Sequence, residues 1–370
     1  MTASRTPPYR VGIIGVGRMG SNHARAYVVN PKTELVAAAD TDPENLELFQ
    51  RRFGVNVYGD YHEMLAKERL DIAAPVLPVS VNPQAVIDCA EAGVGAIFSE
   101  KPIASSLADA DRMVETCRAR GIPFACGDAW RNLPQFWQFR EMVDAGEVGE
   151  VRAINVYHPH SEILGGGCQS LGVTRLMAGD ADVEWVTGWV HGDPWDEEDQ
   201  GMGGVIRFAN GVLAHVHMDP VGRRGIEVLT EKGVFLSDWL QFSYHDAEDD
   251  GDDRVLRERE GLFERAGTWD LGYDDEGWRE IGFRLTSSVR AILEALETGR
   301  EPRTSGDNMR KGLEIGIALR ESHRQEHAPV RLPLEDRSMK IVPHAGRMYS
   351  KKRAQGREEY MEQMAAYKRD

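Results

Sequence analysis

Cysteine is scarce in this chain of 370 residues. The four cysteines form no close pair and show none of the spacings that hold a metal ion, which is typical of free thiols in a reducing compartment. Long apolar runs are lacking as well, because no stretch approaches the roughly 18 residues of a membrane span. An acid-rich stretch over residues 246–253 matches no calcium-loop spacing and is expected to be a solvated loop. We therefore expect neither a metal site nor a membrane segment. The cysteines are Cys89, Cys117, Cys126 and Cys168.

Positive charge is also in short supply. The chain has 60 acidic and 44 basic residues, a formal net charge of −16, which argues against a nucleic acid or an anionic membrane surface as a partner. Residues 1–8 lack the apolar region of a signal peptide, so we expect a cytoplasmic protein. The hydrophobic content of 41% is ordinary for a globular protein. The length exceeds what one core usually holds, so two domains are expected.

The first motif is a glycine-rich turn near the start of the chain. A short apolar run over residues 11–14 predicts a buried strand, and a helix-forming run follows the turn. The first glycine allows a sharp turn, the second allows the backbone to approach a pyrophosphate, and the third allows close packing of helix and strand. Phosphate charge would lie on the exposed amides of the helix start. A turn without a ligand is the alternative, because this motif alone is not specific. The turn comprises Gly15, Gly17, Arg18, Met19 and Gly20.

An acidic residue then follows a predicted second strand. The strand covers residues 34–39 and is followed directly by Asp40, twenty residues after Gly20. An acidic side chain at this place accepts hydrogen bonds from a ribose diol and repels a 2′-phosphate, which favours NAD over NADP. Strands and helices alternate at short spacing to about residue 126. This alternation predicts an α/β domain with a parallel sheet and right-handed crossovers.

Two later segments follow predicted strands of the same sheet. Pro78 and Asn82 come after a strand over residues 70–77, and Glu100 and Lys101 come after the next one. A lysine at the carboxyl end of a parallel strand lies on the ligand-binding edge of the sheet. The alternative is a solvated surface lysine, as most lysines are.

The pattern changes after residue 150. A longer strand is expected over residues 151–157, and Asn210-Gly211 between two apolar runs predicts a hairpin, because this pair favours the turn that matches strand twist. A second hairpin is expected over residues 226–236. We therefore predict a mostly antiparallel sheet with one face buried. The other face either pairs with another subunit or is covered by helices.

These patterns divide the chain into three parts. Residues 1–127 are expected to form a dinucleotide-binding domain, residues 128–333 a substrate-binding and oligomerisation domain, and residues 334–370 a charged C-terminal extension. Amphipathic helices are expected over residues 283–298 and 307–323.

Several short motifs occur in a specific order and at specific distances. They are Gly15-Val-Gly17-Arg-Met-Gly20, Ala39-Asp40-Thr-Asp42-Pro43, Glu100-Lys101-Pro102, Gly146-Glu-Val148-Gly149-Glu150-Val151 and Gly165-Gly-Gly167. Together they resemble the Gfo/Idh/MocA oxidoreductase family, and the likeness covers about residues 9–333. The resemblance implies a doubly wound Rossmann domain followed by an α+β domain with a large open, mostly antiparallel sheet. It also implies a helix near residues 307–323 that returns to the first domain, and homodimers or homotetramers formed through the open sheet.

The resemblance further implies which residues surround NAD. Lys101 would lie near the nicotinamide and the reacting hydroxyl, where it can hydrogen-bond the carbinol oxygen and lower the cost of a developing alkoxide. The bond between Lys101 and Pro102 is often cis in the family. The residues expected at the cofactor are Gly15, Gly17, Arg18, Met19, Gly20, Asp40, Pro78, Asn82, Glu100 and Lys101.

The chain also departs from the family pattern. Family dehydrogenases usually carry Asp-x-Gly-x-His after the triple glycine, and here the stretch runs from Ser170 to Thr174. Neither hydroxyl titrates near neutral pH, so neither is an effective general base without help. Asn82 stands where many members have histidine. The standard acid–base pair is therefore missing, while Ser170 and Thr174 are still expected to face the substrate.

Other residues are expected to replace the missing acid–base pair and to bind the substrate. Tyr157, His158 and His160 end the first strand of the second domain, and the histidines have a suitable intrinsic pKa. The alternative for them is a surface loop. Arg131 and Arg175 are expected to hold a charged group of the substrate.

Three functions remain open at this point. The first is an NAD-dependent oxidoreductase that acts on a hydroxyl of a sugar or cyclitol. The second is a glycoside hydrolase that uses NAD as a recycled catalyst, a recognised exception to paired-carboxylate hydrolysis, acting on an anionic glycoside such as a uronate or a sulfonated hexose. The third is a nucleotide-binding or sensor protein without catalysis.

Overall fold

The computed structural model describes residues 6–127, 130–157, 162–217, 224–251, 253–264 and 283–343. They divide into two compact units. The first unit contains the described parts of Met1–Gly127, Leu271–Asp307 and Pro343–Asp370, and the second contains those of Asp128–Asp270 and Asn308–Val342.

The helices and strands are numbered in chain order. The strands are β1 Tyr9–Ile14, β2 Thr33–Ala39, β3 Asn56–Tyr58, β4 Ile72–Pro75, β5 Ala96–Ser99, β6 Phe124–Cys126, β7 Val151–Tyr157, β8 Val183–Val190, β9 Met202–Phe208, β10 Leu213–His217, β11 Gly225–Thr230, β12 Gly233–Ser237, β13 Phe242–Asp250, β14 Asp253–Glu258 and β15 Val330–Arg331. The helices are α1 Arg18–Val28, α2 Pro43–Phe53, α3 Tyr61–Lys67, α4 Asn82–Glu91, α5 Leu107–Ala119, α6 Pro134–Asp144, α7 Cys168–Met177, α8 Phe283–Thr298 and α9 Gly306–Arg324. A π-helix over Ile163–Gly167 precedes α7.

The first unit is built on six parallel strands in the order β3-β2-β1-β4-β5-β6. Its core runs along β1, where Val11, Ile13 and Ile14 are buried, as expected for a parallel strand with helices on both faces. Local sequence sets the ends of the helices. The carboxylate of Asp42 caps α2 by accepting from the amide of Glu44 at 2.9 Å. The predicted doubly wound sheet is confirmed.

α8 is one of the helices that pack on this first sheet. Val289 and Ile292 of α8 belong to the same buried cluster as the side chains of β1 and α1. The resemblance implied that a helix near residues 307–323 takes this place. From residue 308 onward, α9 groups with the second unit instead, where a Cβ on Gly316 would lie 2.8 Å from Ile163. The glycine permits this close approach, which the amphipathic period of the sequence does not reveal.

The second unit is built on nine strands in the order β14-β13-β12-β11-β7-β10-β9-β8-β15. Among these described strands every pairing is antiparallel except that of β7 with β10. The two expected hairpins are present as β9–β10, around Asn210 and Gly211, and as β11–β12. The acid-rich stretch expected as a loop instead forms the end of β13 and the start of β14. These strands lie at the sheet edge, where acidic side chains stay mostly exposed.

The two faces of this sheet differ. One face is covered by helices, because Leu319 of α9 lies against Gly188 and Gly204, and Phe139 of α6 stacks on Phe235 with ring centroids 4.3 Å apart. Side chains alternate along a strand, so the residues between these positions point to the opposite face. We call that second side the open face. It carries Asn155, Tyr157, Trp185, Trp189, His215, His217, Glu227 and Leu229.

Candidate active site

The glycine turn joins β1 to α1 in the first unit. Gly15 has a φ of 88°, and a Cβ there would lie 2.5 Å from the carbonyl oxygen of Val76. A Cβ on Gly20 would lie 1.9 Å from the carbonyl oxygen of Gly15. Neither position accepts a side chain unless backbone moves. Gly17 is the N-cap residue of α1, where no side chain caps the helix, and the first turn has no acidic residue. The first amides of α1 are therefore oriented for an anion.

Asp40 follows β2 and is bonded to this turn. Its Oδ2 accepts a hydrogen bond from the amide of Val16 at 2.8 Å, and its Oδ1 accepts one from the amide of Asp42 at 2.9 Å. A carboxylate has about four acceptor positions, so two hydrogen bonds leave it able to bind a ribose diol.

Other expected cofactor residues lie near the same strand ends. Arg18 and Met19 are half-buried in the first turn of α1. The carbonyl oxygen of Pro78 accepts from the amide of Asn82 at 3.0 Å. The Asn82 side chain is fully buried, and neither of its polar atoms has a hydrogen-bond partner among the residues that the structure describes. Burial of such an amide is costly, and a ligand with a donor or an acceptor at this point would offset the cost.

Glu100 and Lys101 follow β5. The Glu100 amide donates to the carbonyl oxygen of Pro75 at the end of β4 at 3.0 Å. Glu100 and Lys101 are half-buried, and the peptide bond between Lys101 and Pro102 is cis, as the resemblance implies. Because β1, β2, β4 and β5 are parallel neighbours in one sheet, the glycine turn, Asp40 and Lys101 lie at its carboxyl edge.

One residue of this edge was missed by the sequence reasoning. His23 is fully buried on α1, and its Nε2 lies 3.0 Å from Oε2 of Glu100. A signal was available, because His23 lies three positions after Gly20 and four before Tyr27, on the face of α1 that packs inward. A polar side chain on a buried helix face needs a partner.

In the second unit, Arg131 belongs to a buried ion pair. Its guanidinium donates to the two carboxylate oxygens of Asp180 at 3.0 and 2.5 Å and to the carbonyl oxygen of Gly172 at 2.8 Å. Only 2% of Arg131 is exposed. A substrate-binding role was expected here, and the structure instead shows that the protein itself supplies the acceptors that a buried guanidinium requires. The pair joins the segment before α6 to the end of α7.

The remaining expected substrate residues lie on α7. Thr174 is fully buried, and its hydroxyl donates to the carbonyl oxygen of Ser170 at 2.8 Å, a common bond of helical threonine. Arg175 is 2% exposed and donates to Asn308 Oδ1 at 3.3 Å and to the Asp180 carbonyl at 3.4 Å. These contacts stabilise α7 and differ from the substrate contacts that were expected. The sequence of α7 contains no aspartate, glutamate or histidine.

Tyr157 ends β7 on the open face. Its hydroxyl donates to Oε2 of Glu227 at 3.1 Å, and its ring stacks on His217 with centroids 4.7 Å apart. α7 packs with α6, which lies on the other face of the sheet. The catalytic role of Tyr157 stays a prediction, and the structure shows its hydroxyl bonded to Glu227 on the open face. His158 and His160 lie outside the described residues.

Comparisons with known proteins agree with this geometry. Residues 9–127 match the family model GFO_IDH_MocA, described as an oxidoreductase family with an NAD-binding Rossmann fold. The myo-inositol 2-dehydrogenase of Thermotoga maritima is 25% identical over 338 residues, which are 85% of this chain and 96% of that protein. Residues 9–127 therefore belong to the Gfo/Idh/MocA oxidoreductase family. The protein is an NAD-dependent enzyme of the dehydrogenase and reductase type, and the expectations of family and cofactor are confirmed.

Two further proteins resemble this oxidoreductase. The 2,7-anhydro-N-acetylneuraminate hydratase of Mediterraneibacter gnavus is 29% identical over 139 residues, 38% of this chain and 36% of that protein. The WlbA dehydrogenase from Bordetella pertussis, solved with NADH and UDP-GlcNAcA, matches with a TM-score of 0.69 and 20% identity. That match covers 88% of this chain and 98% of the other, and it shows the fold alone.

Two further observations concern metal sites and membrane-spanning helices. In the described ranges no group of three or more His, Cys, Asp or Glu side chains is arranged to hold a metal ion. None of the helices within those ranges combines the length and the apolar character that crossing a membrane requires.

Proposed function

We propose that this oxidoreductase transfers a hydride between NAD and a secondary hydroxyl carbon of a sugar or cyclitol. The observation that carries the proposal is the place of Lys101 after β5, on the sheet edge that also carries the glycine turn and Asp40. Such an edge is where α/β folds bind a dinucleotide and position its substrate. The substrate class is supported by relatives such as the myo-inositol 2-dehydrogenase.

Residues of the first unit fit NAD. The uncapped start of α1 would bind the pyrophosphate, and Asp40 would accept hydrogen bonds from the adenosine ribose. The buried amide of Asn82 would gain a partner. When bound, NAD supplies or accepts the hydride. The chain supplies position and charge around it.

Lys101 would act on the hydroxyl of the substrate. Its Nζ would donate a hydrogen bond to the carbinol oxygen, where negative charge grows as the hydride leaves, and a cation there lowers the free energy of the transition state. α7 supplies no carboxylate or imidazole. We retain His158 and His160 as the second proton carrier, on residue type alone.

Turnover by the purified full-length chain tests this function. NADH absorbance is followed with NAD or NADP and with myo-inositol, scyllo-inositol and a panel of aldohexoses. We expect NAD-dependent oxidation of one of these, and Lys101→Met should lower kcat about 100-fold or more while NADH still binds. Lys67→Met, at an exposed lysine of the same unit, should leave kcat unchanged. Full turnover by Lys101→Met would contradict the assignment, and a chain that binds no NADH would remove the proposal altogether.

A second candidate is a glycosidase or hydratase that recycles NAD. Oxidation of a ring hydroxyl makes the neighbouring C–H acidic, the leaving group departs, water adds, and the ring is reduced again. The observation in its favour is that α7 lacks the family's acid–base pair, and one relative is named a hydratase. An anionic glycoside is less favoured as its substrate, because Arg131 and Arg175 are engaged within the protein.

Nitrophenyl glycosides separate the two candidates. Release of nitrophenol that requires added NAD, with no net NADH, would identify the recycling reaction. Net NADH formation with a free polyol would identify the dehydrogenase. NADH binding without either activity would favour the third possibility, a nucleotide-binding sensor.

We also propose that the chain forms homodimers or homotetramers through the open face. Trp189 is 44% exposed and Leu229 is 36% exposed on this face, and large apolar side chains in an exposed row are typical of an interface. Light scattering should show a dimer or tetramer that Trp189→Glu dissociates. Trp195→Glu, at an exposed tryptophan outside the strands, serves as the control. A monomer at micromolar concentration would refute the proposal.

Cysteine usage supports a reducing compartment, and we propose the cytoplasm. All four cysteines are buried and unbridged. Burial raises the pKa of Cys117 to about 12 and also raises the pKa of Cys89, so both are poor nucleophiles. Fractionation of expressing cells checks the location.

A further inference from the structure

His23 connects the helix after the glycine turn to the segment that carries Lys101. Its side chain is fully buried on α1, and its Nε2 lies 3.0 Å from Oε2 of Glu100, the residue before Lys101. Its ring packs on Phe98 of β5 with ring centroids 4.9 Å apart. An apolar side chain would fill the same space without a polar contact. The imidazole is therefore placed where its hydrogen bond reaches the neighbour of the proposed catalytic lysine.

Glu100 is confined on a second side. A Cβ on Gly127 would lie 3.0 Å from Oε2 of Glu100 and 3.2 Å from the backbone nitrogen of Lys101. The Glu100 carboxylate and the Lys101 backbone thus border the same small space beside Gly127. A change in the orientation of the Glu100 side chain consequently alters the surroundings of the Lys101 backbone.

The contact between His23 and Glu100 indicates which atom is the donor. Nδ1 is buried and has no partner among the described residues. A carboxylate only accepts hydrogen bonds, so the ring nitrogen that faces it carries a proton. Nε2 is therefore the donor and Oε2 of Glu100 the acceptor. A hydrogen bond to a carboxylate is of the stronger, charge-assisted kind.

We propose that His23 is a positioning residue for Lys101, acting through its hydrogen bond to Glu100. This proposal rests on the proposed function, in which Lys101 acts on the hydroxyl of the substrate. If His23 only filled space in the core, an apolar residue of similar size in its place would leave the environment of Lys101 unchanged.

Three variants separate these roles. His23→Leu keeps the volume and removes the donor. His23→Gln places an amide N–H near the position of Nε2, and His23→Asn places it near Nδ1, too short to reach Glu100. His62→Gln is the matched control, because His62 is also bonded to a carboxylate, Asp60, but lies exposed in the same unit.

The main measurement needs no substrate. Trace acetylation of the full-length protein by acetic anhydride, read by mass spectrometry, gives the labelling rate of Lys101 relative to the exposed Lys67. We expect His23→Leu and His23→Asn to change this ratio about threefold or more, the factor that corresponds to the net free energy of one hydrogen bond. We expect His23→Gln to restore it and His62→Gln to leave it unchanged.

Turnover and NADH binding complete the test. kcat should fall about tenfold in His23→Leu and recover in His23→Gln. The NADH dissociation constant should stay unchanged within about twofold, because these substitutions leave the glycine turn and Asp40 intact. An unchanged Lys101 labelling ratio in a folded His23→Leu or His23→Asn protein would overturn the positioning role. Absence of turnover in the wild type would instead count against the proposed function, and the labelling result would still decide the role of His23.

Discussion

The backbone amide of Val16 donates a hydrogen bond to Oδ2 of Asp40 at 2.8 Å. Val16 lies inside the glycine turn and Asp40 follows β2, so the acidic side chain expected at the ribose is held by the loop expected at the pyrophosphate. The amide of Asp42 occupies the other carboxylate oxygen. An asparagine would reproduce only one of these two bonds, because its side chain has one acceptor oxygen.

Asp40→Asn should therefore weaken NADH binding about tenfold, the effect of losing a hydrogen bond to a charged group. Discrimination against NADPH should fall by at least a similar factor, because the carboxylate that repels its 2′-phosphate is gone. Fluorescence titration with both nucleotides measures the two effects. Asp42→Asn is the control, since Asp42 caps α2. Equal NADH affinity in wild type and Asp40→Asn would argue that Asp40 does not bind the ribose.

Gly20→Ala should destabilise the first unit and abolish tight NADH binding. The added Cβ would lie 1.9 Å from the carbonyl oxygen of Gly15, and such a backbone clash typically costs about 2 kcal/mol or more. Urea unfolding and NADH titration measure the two effects. Gly59→Ala is a matched control, because a Cβ there meets nothing within 4 Å, and its effect should stay within about 0.5 kcal/mol. Equal stability of both variants would disprove the close packing of the turn.

Asp199 should make the stability depend on pH. Its buried carboxylate accepts from the amide of Leu164 at 2.6 Å and from that of Gly201 at 3.4 Å. Burial raises the pKa of Asp199 to about 6, above its ordinary value. The folded state therefore binds more protons than the unfolded state between about pH 4 and pH 6, and the stabilisation from this group is lost as the pH rises through about 6.

Unfolding in urea at pH 5 and pH 7 measures this dependence. The free energy of unfolding of the wild type, minus that of Asp199→Asn, should fall by about 1 kcal/mol or more between these pH values. Asp336→Asn is the control, because hydrogen bonds from Ser338 hold the pKa of that exposed carboxyl below its ordinary value and it stays ionised throughout. A difference independent of pH for Asp199 would contradict the prediction.

Arg131→Met should destabilise the second unit without changing the KM of the folded enzyme. Breaking a buried ion pair costs about 3–5 kcal/mol, and the solvent that reaches Asp180, 36% exposed, should bring the loss to about 2–3 kcal/mol. Arg140→Met is the comparison, since Arg140 pairs with an exposed Asp144 one helical turn away and should lose about 0.5 kcal/mol. A raised KM with unchanged stability would restore the substrate role of Arg131.

The parallel sheet and its glycine turn were predictable because their signals are local. Short apolar runs end in glycine, acid or lysine, and this pattern within a few residues predicts a buried strand. The hairpin at Asn210 and Gly211 follows from turn chemistry in the same way. The partner of α9 did not follow, because a helix with an apolar stripe packs equally well on several surfaces.

The second unit shows where residue type misleads. Arginine, tyrosine and threonine near a presumed cleft were expected to meet a substrate, yet Arg131, Thr174 and Tyr157 have partners within the protein. The reverse holds for His23, which no motif singled out and which is bonded to Glu100. The partners of Arg131, Tyr157 and His23 lie tens of residues away along the chain, so spacing carries little information about them.

The sequence by itself determined the class of fold, the cofactor and the edge on which Lys101 lies, because these depend on patterns within a few consecutive residues. Only the tertiary structure decided which polar groups remain available to a ligand and which are bonded within the protein. The alternation of side chains along β7 placed the Tyr157 hydroxyl on the open face. Arg131 is paired in the interior with Asp180, which is distant in the sequence. These outcomes depend on which segments come into contact. The free energy of burying a charge or an amide depends on the hydrogen-bond partners that those contacts supply.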